Sequence, residues 1–357
     1  MRKLLVIVFA VVFVSLISIE SNAQFNKKMI RKNNKRMRNF KGKKNNFSKN
    51  KKYNYVGITL NTFNYFGDLS PLPKKISTDI SFTKPAIGVT FGHRFGPRYT
   101  LRGEFRYGGL SGSDFESADP NDENARFRYV RNLQFRNRIK ELTVTGVFDL
   151  FKNGSTYVNR VDLTPYAFVG VTLFHHNPQA FVGKDGPDGF KETWVDLKPL
   201  GTEGQNLDLP SDHPNSGEGE YKKLQIAIPF GIGVRYKLNE VFDISLEMAT
   251  RFLFTDHIDD VSGSYVDKTL FEDGSLSQYL SDRSTELTDA VSGNARDGEA
   301  VGAVTQGVLG QTDAFGGYGS NYEYNIRGNS NDNDLYFVTT LRLSYVIGAS
   351  FRKAKFR

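Results

Sequence analysis

Five histidines, His93, His175, His176, His213 and His257, are the chain's whole supply of imidazole for metal binding or proton transfer. His175 and His176 are adjacent, and adjacent strand residues point to opposite faces, so a regular strand cannot bring both to one ion. Asp256, His257, Asp259 and Asp260 form the densest group of ligand types, within the run from Phe254 to Gly263. A calcium loop needs a central Gly and a terminal Glu that this run lacks. A turn capped by Asp side chains is the reading its composition supports. Ser262 and Ser264 lie near His257 in the chain, as acyl transfer would require, yet no nucleophile elbow surrounds them. The chain has no cysteine, which removes thiol nucleophiles, disulfides and iron–sulfur clusters. The expectation is a protein that is not an enzyme, holds no metal or cofactor and takes no small-molecule substrate.

A second set of charges is spaced in twos. Arg102, Glu104 and Arg106 alternate with apolar or small residues, and so do Asp243, Glu247 and Arg251 with Phe242, Ile244, Leu246, Met248 and Phe252. Such a period puts charges on one face of a strand and apolar side chains on the other. Extended to the other alternating segments, it gathers Arg102, Arg106, Arg235, Arg251 and Arg342 with Glu104, Glu141, Asp149, Asp243 and Glu247, interspersed with Gly88, Gly92, Gly231 and Gly233. Equal numbers of opposite charges on one face can neutralise one another as ion pairs.

Eight alternating segments carry these residues, near 54–66, 84–95, 99–110, 138–151, 163–175, 222–237, 240–254 and 335–351. Their connections are alternately short and long. Gly96-Pro97-Arg98, the Lys152–Asp162 stretch and Leu238-Asn239 are the short ones, whereas 67–83, 111–137, 176–221 and 255–334 are long. A soluble sandwich has no reason to keep that rhythm, while an outer-membrane barrel does. The fold class is therefore an all-β, eight-stranded antiparallel transmembrane β-barrel with long external loops. The apolar face meets outer-membrane lipid and the charged face fills a lumen too narrow for a channel. An even strand count puts both termini on the periplasmic side.

The amino-terminal residues fit export. Arg2 and Lys3 precede an apolar run from Leu4 to Ile19 and a small-residue site ending at Ala23, so residues 1–23 read as a signal peptide. Between Phe25 and Lys52 there are 13 Lys or Arg and no acid, so 24–52 reads as a basic, disordered periplasmic tail, with 53–357 the barrel. Export argues against nucleic acid as the tail's partner.

Several runs are more particular than a generic barrel. They are Asn64–Leu69, Asn177–Ala180, Trp194–Gln205, Leu224–Val234 and Phe254–Tyr265, with Thr202-Glu203-Gly204-Gln205 and Ile228–Gly233 the most specific. Together they resemble the PorG family of outer-membrane barrels associated with the type IX secretion system. The resemblance implies a non-enzymatic component that contacts periplasmic ring proteins of the PorK and PorN type. The other open reading is a small passive or adhesin-like barrel that binds through its exposed loops. The Trp194, Thr202, Glu203, Gly204, Gln205 motif is expected to fold over the outer rim, with Trp194 as an amphipathic anchor and Glu203 paired to a barrel arginine. The stretch 255–334, rich in Gly, Ser, Asp and Asn, is given no family function.

Overall fold

A computed structural model describes residues 31, 47, 51–69, 82–320, 325–330 and 332–347. The expected signal peptide lies outside the described residues, as does the basic tail apart from residues 31, 47, 51 and 52. The chain divides into Met1–Asn46 and Phe47–Arg357, and the second unit holds all of the strands.

Alternation translates into strands: β1 Tyr53–Phe66, β2 Lys84–Arg94, β3 Tyr99–Ser113, β4 Gln134–Asp149, β5 Leu163–His175, β6 Pro178–Val182, β7 Thr193–Asp196, β8 Leu224–Lys237, β9 Phe242–Leu253 and β10 Leu335–Ile347. The order β3-β2-β1-β10-β9-β8-β5-β4 closes through β3 and β4 into an eight-stranded antiparallel barrel. That seam runs from Tyr99 opposite Phe148 to Ser113 opposite Gln134. Closure leaves no free edge around the wall, which hydrocarbon requires because it cannot hydrogen-bond an unpaired backbone. The first and last strands pair with Asn54 opposite Ile347, so both ends of the barrel lie at the short-turn end.

The wall is apolar outside and polar inside. Ile58, Leu60, Ile87, Leu142, Val171, Ile232 and Met248 are all exposed, and Tyr99, Phe148, Tyr236 and Tyr345 lie towards the short-turn ends of their strands. Water would not tolerate so continuous an exposed apolar band, but lipid selects it, with aromatic residues at the interface. No helix among the described residues is long and apolar enough to cross a membrane. The architecture is that of an outer-membrane barrel.

Three features depart from the sequence reading. β3 and β4 run farther outward than the expected ends near 110 and 138, and a hairpin of β6 and β7 grows from the top of β4, with Arg136 opposite Gln179. Strands of four or five residues are too short to announce themselves by periodicity. The described residues of the stretch 255–334 form a folded cap with helices Leu276–Ser281 and Gly298–Thr305. Val301 and Val304 of the second are fully buried against Ala118, Ala125, Tyr129 and Val130 of the β3–β4 connection. The lumen, moreover, is not charged along its full height. Phe63, Phe135, Ile139, Phe174, Ala227 and Tyr336 build an apolar core at its outer end, joined to Ile258 and Val261 of the cap. Once a folded cap excludes water, that end is an interior like any other, and apolar packing is what stabilises it.

Candidate functional site

The charged lumen begins at its centre with Glu247 of β9. Its Oε1 accepts from Arg102 Nη1 at 2.5 Å and from the Tyr166 hydroxyl at 2.5 Å, and both of its oxygens accept from Arg342. Arg342 also donates to Glu104, which accepts from Arg106 Nη2 at 2.7 Å. Arg106 continues to Glu141 at 2.5 Å, and Glu141 takes Arg251 at 3.1 Å and the Tyr336 hydroxyl at 2.8 Å. Nearer the short turns, Asp149 accepts from Arg94 at 2.6 Å and Arg235 at 2.7 Å. Asp243 accepts from Arg160 at 2.7 Å. All ten lumen residues expected from the spacing are therefore brought together in networks.

The expected balance of charge is corrected by two arginines. Arg94 and Arg160 make seven cations against five carboxylates. Arg94 continues the inward register of Gly92, so the alternation carried its signal. Arg160 sits in the β4–β5 connection, where no period exists. It donates to the carbonyls of Tyr157, Asn239, Glu240 and Phe242, closing the short-turn end with a guanidinium whose donors carbonyl oxygens satisfy. Each level thus carries one cation in excess, with Arg102, Arg106, Arg251 and Arg342 against Glu104, Glu141 and Glu247 at mid-height, and Arg94, Arg160 and Arg235 against Asp149 and Asp243 near the short turns. Three of the four inward glycines, Gly92, Gly231 and Gly233, are seats for rings. A Cβ on Gly92 would fall 2.1 Å from the Tyr55 ring, and one on Gly231 2.6 Å from the Phe168 ring, over which the Arg102 guanidinium lies at 4.7 Å. With arginines, carboxylates and rings interleaved, the lumen's void beside Arg102 and Arg342 is about 10 Å³, no larger than a water.

The cap is organised by Glu203. Its carboxylate is fully buried and accepts from the backbone of Ser262 at 2.9 Å and Gly263 at 3.0 Å, and from Arg327 Nη1 at 2.8 Å. The expected partner was a barrel arginine. Arg327 instead belongs to the connection before β10, because the loops meet one another above the rim and shield Glu203 from the wall. Arg131, after β3, clasps Asp114 at 2.7 and 2.8 Å and donates to the carbonyls of Asp68 and Arg327. Three connections are thereby tied together. Thr202 donates to Asp260 at 2.6 Å, Gly204 takes a φ of +83° that glycine allows, and the Gln205 amide oxygen accepts from the Glu203 backbone at 3.0 Å. Trp194 is on β7, flanked by Phe181 and with the Arg136 guanidinium 3.9 Å from its ring centre.

The Asp-rich run is more than an exposed turn. Asp259 Oδ1 accepts from the Val261 backbone as an Asx turn would, but Asp259 also takes the Tyr65 hydroxyl at 2.5 Å, and Asp260 takes that of Tyr221 at 2.6 Å. His257 and His176 both stack with the Tyr221 ring, at 4.8 and 5.8 Å between centroids. His175 stays in β5 while His176 is fully buried, with Nε2 3.0 Å from the Lys222 carbonyl oxygen. Ser262 and Ser264 offer their backbone amides to Glu203 and Asn215. Among the described residues no group of three or more ligand-type side chains is arranged to hold a metal.

These buried acids make the cap sensitive to pH. Burial, then the neighbouring Asp334, pushes Asp256 up to about 9, and burial pushes Asp334 up to about 8. Both carboxyls hold a proton in the folded cap that the unfolded segment has already released above the ordinary carboxyl range. Stability therefore falls as pH rises towards those values. Burial holds His176 down at about 4, so its charge is constant above neutrality. Between about pH 7 and 9.5 the cap should become measurably more open to limited proteolysis while the barrel keeps its folded gel mobility. Unchanged cleavage would contradict the protonated state of these two acids.

Residues 44–191 match the model of a family described as a domain of unknown function, DUF6089. No curated protein matches the chain. Similar solved structures include Ail, the attachment invasion locus protein of Yersinia pestis, at 7% identity, covering 83% of this chain and 97% of that one with a TM-score of 0.31. OprG from Pseudomonas aeruginosa follows at 8% identity, 84% and 98% coverage and a TM-score of 0.32. Neisserial surface protein A has 7% identity, 82% and 96% coverage and a TM-score of 0.32. The fold itself rests on the strand register described above.

Proposed function

We propose that this protein is a non-conducting, non-enzymatic barrel of the outer membrane that serves the type IX secretion machinery as a membrane-embedded component, with its termini periplasmic and its short-turn side towards ring proteins of the PorK and PorN type. The observation that supports a non-transport role is the lumen itself, filled by paired guanidinium and carboxylate groups below and by an apolar core above. A barrel that passes nothing works through its surfaces. The secretion assignment rests on the resemblance of the runs around Thr202–Gln205 and Ile228–Gly233.

Two experiments test the two levels of this reading. Reconstituted in a planar bilayer, the barrel should give no stepwise ion conductance, and regular steps would end the filled-lumen reading. A carboxy-terminally tagged chain, purified from gently solubilised outer membranes, should bring ring components with it in near-stoichiometric amounts. Recovery of the barrel alone after mild crosslinking would end the secretion assignment. The folded cap favours one second reading, a binder of external partners through its loops. Under that reading, removal of the cap abolishes partner recovery, whereas under the first it leaves the ring components bound.

A further inference from the structure

The outward face of β4 changes character along its length. Phe148, Gly146, Val144 and Leu142 face outward among the apolar belt, and then Lys140, Arg138 and Arg136 follow on the same face. Across the outward faces of the eight wall strands these are the only Lys or Arg among the described residues. Alternate strand residues are about 6.8 Å apart, so the three cations form a column that climbs from the edge of the belt on the long-loop side. Cations are costly at mid-membrane but cost little at the interface, and this column begins where the apolar belt stops. The closed barrel has no structural need of it.

The surroundings leave room for an anion. Register sets Tyr107 and His175 beside Lys140, Gly109 beside Arg138 and Ser111 beside Arg136. A side chain on Gly109 would meet nothing closer than 3.8 Å. A cleft of about 400 Å³ opens there, lined by Lys84, Ser111, Glu116, Arg136, Arg138 and Trp194 among others. Arg136 is engaged, donating to Gln179 at 2.9 Å and lying over Trp194. Arg138 and Lys140 are exposed, and neither has a carboxylate partner among the described residues. Like charges at this spacing repel, and a multivalent anion between them relieves that repulsion.

We propose that this column binds the phosphorylated headgroup of a lipid in the leaflet on the long-loop side. Arg138 and Lys140 hold the phosphate oxygens, and Arg136 and Trp194 bound the site above. The acyl chains run down the apolar path of Leu142, Leu173 and Val144. An arginine fork can take two phosphate oxygens at once, while lysine supplies a compact point charge beside it. Continuity between a cationic column and an apolar path fits a lipid, since a free anion would have no use for the latter. The proposal rests on the membrane-spanning reading and not on the secretion assignment.

The test uses the full chain in detergent micelles, its folded gel mobility verified, titrated with bis-phosphorylated lipid A and read by native mass spectrometry. The expected result is a one-to-one adduct that the double substitution Arg138→Gln with Lys140→Gln weakens roughly tenfold or more. The pair Lys52→Gln with Lys152→Gln, exposed at the short-turn end, should bind as the unaltered chain does. Dephosphorylated lipid A should bind no better to the unaltered chain than the phosphorylated form binds to the double variant. An excess of inorganic phosphate should fail to displace the lipid. Equal adducts on the unaltered and doubly substituted chains would overturn the proposal, as would equal binding of the dephosphorylated lipid or displacement by inorganic phosphate. Should the double variant lose its folded mobility, Arg138→Lys keeps the charge without the fork and is expected to bind several-fold more weakly; undiminished binding there would equally overturn it. A chain that never reaches the folded gel mobility of a barrel in micelles would instead refute the membrane reading, an outcome read from the gel before any lipid is added.

Discussion

Replacing Glu247 by Ala should destabilise the barrel by about 3–5 kcal/mol, the usual cost of removing one partner from a buried ionic network. Glu247 is 1% exposed and is the point where Arg102, Arg342 and Tyr166 converge. Without it, Arg102 and Arg342 share Glu104 alone, and that carboxylate already serves Arg106. Two guanidinium groups would then face each other in a dry lumen with too few acceptors. The measurement is urea-dependent unfolding in micelles, followed by far-UV circular dichroism and by gel mobility. A change such as Met248→Leu on the lipid face, one residue away, keeps apolar volume and should cost less than about 1.5 kcal/mol. If Glu247→Ala were as mild as Met248→Leu, the lumen would have to be hydrated, and the filled-lumen argument would fail with it.

The second large effect is expected in the cap and should leave the barrel alone. Glu203→Ala removes the acceptor of two backbone amides and of Arg327, so it should cost about 3 kcal/mol of cap stability. Since about 1.4 kcal/mol is a factor of ten, the open population rises roughly a hundredfold. Cleavage within the 255–334 connection should accelerate in proportion while closing outpaces cleavage. The chain's only tryptophan, Trp194, lies on the β6–β7 hairpin and gives a second, local readout. Gel mobility and circular dichroism of the barrel should not change, because the partners of the Glu203 carboxylate, Ser262, Gly263 and Arg327, all lie in connections outside the wall. Loss of barrel mobility together with cap protection would mean that cap and wall fold as one unit.

The motif around Glu203 illustrates how far the chain could be read in advance. Its residue types, with glycines at 201 and 204 that permit a sharp turn, point to a segment folded over the rim, and in the structure both glycines take a positive φ. They could not name its partner. Arg327 is 124 residues away in an aperiodic stretch, and only the packing of one loop on another brings it to 2.8 Å. Arg131 and Asp114 likewise meet through the packing of an aperiodic connection, whereas Arg94 follows from the alternation as the next inward position after Gly92.

What the sequence determined by itself was local or depended on chain length. Alternation decides which side chains share a face, because neighbouring strand residues must point apart. Short connections force neighbouring strands to be antiparallel, so the rhythm of short and long connections dictates an up-and-down barrel. Those two rules delivered the eight wall strands, the outward belt and the ten inward charges. Tertiary structure alone decided which charges meet, since pairing across a lumen depends on which strands closure sets opposite one another. It also decided where the charged interior ends. Phe63, Phe174 and Tyr336 fill inward positions at the outer end with rings rather than charges because a folded cap removes water there, and a cap assembled from aperiodic connections leaves no period in the chain to read.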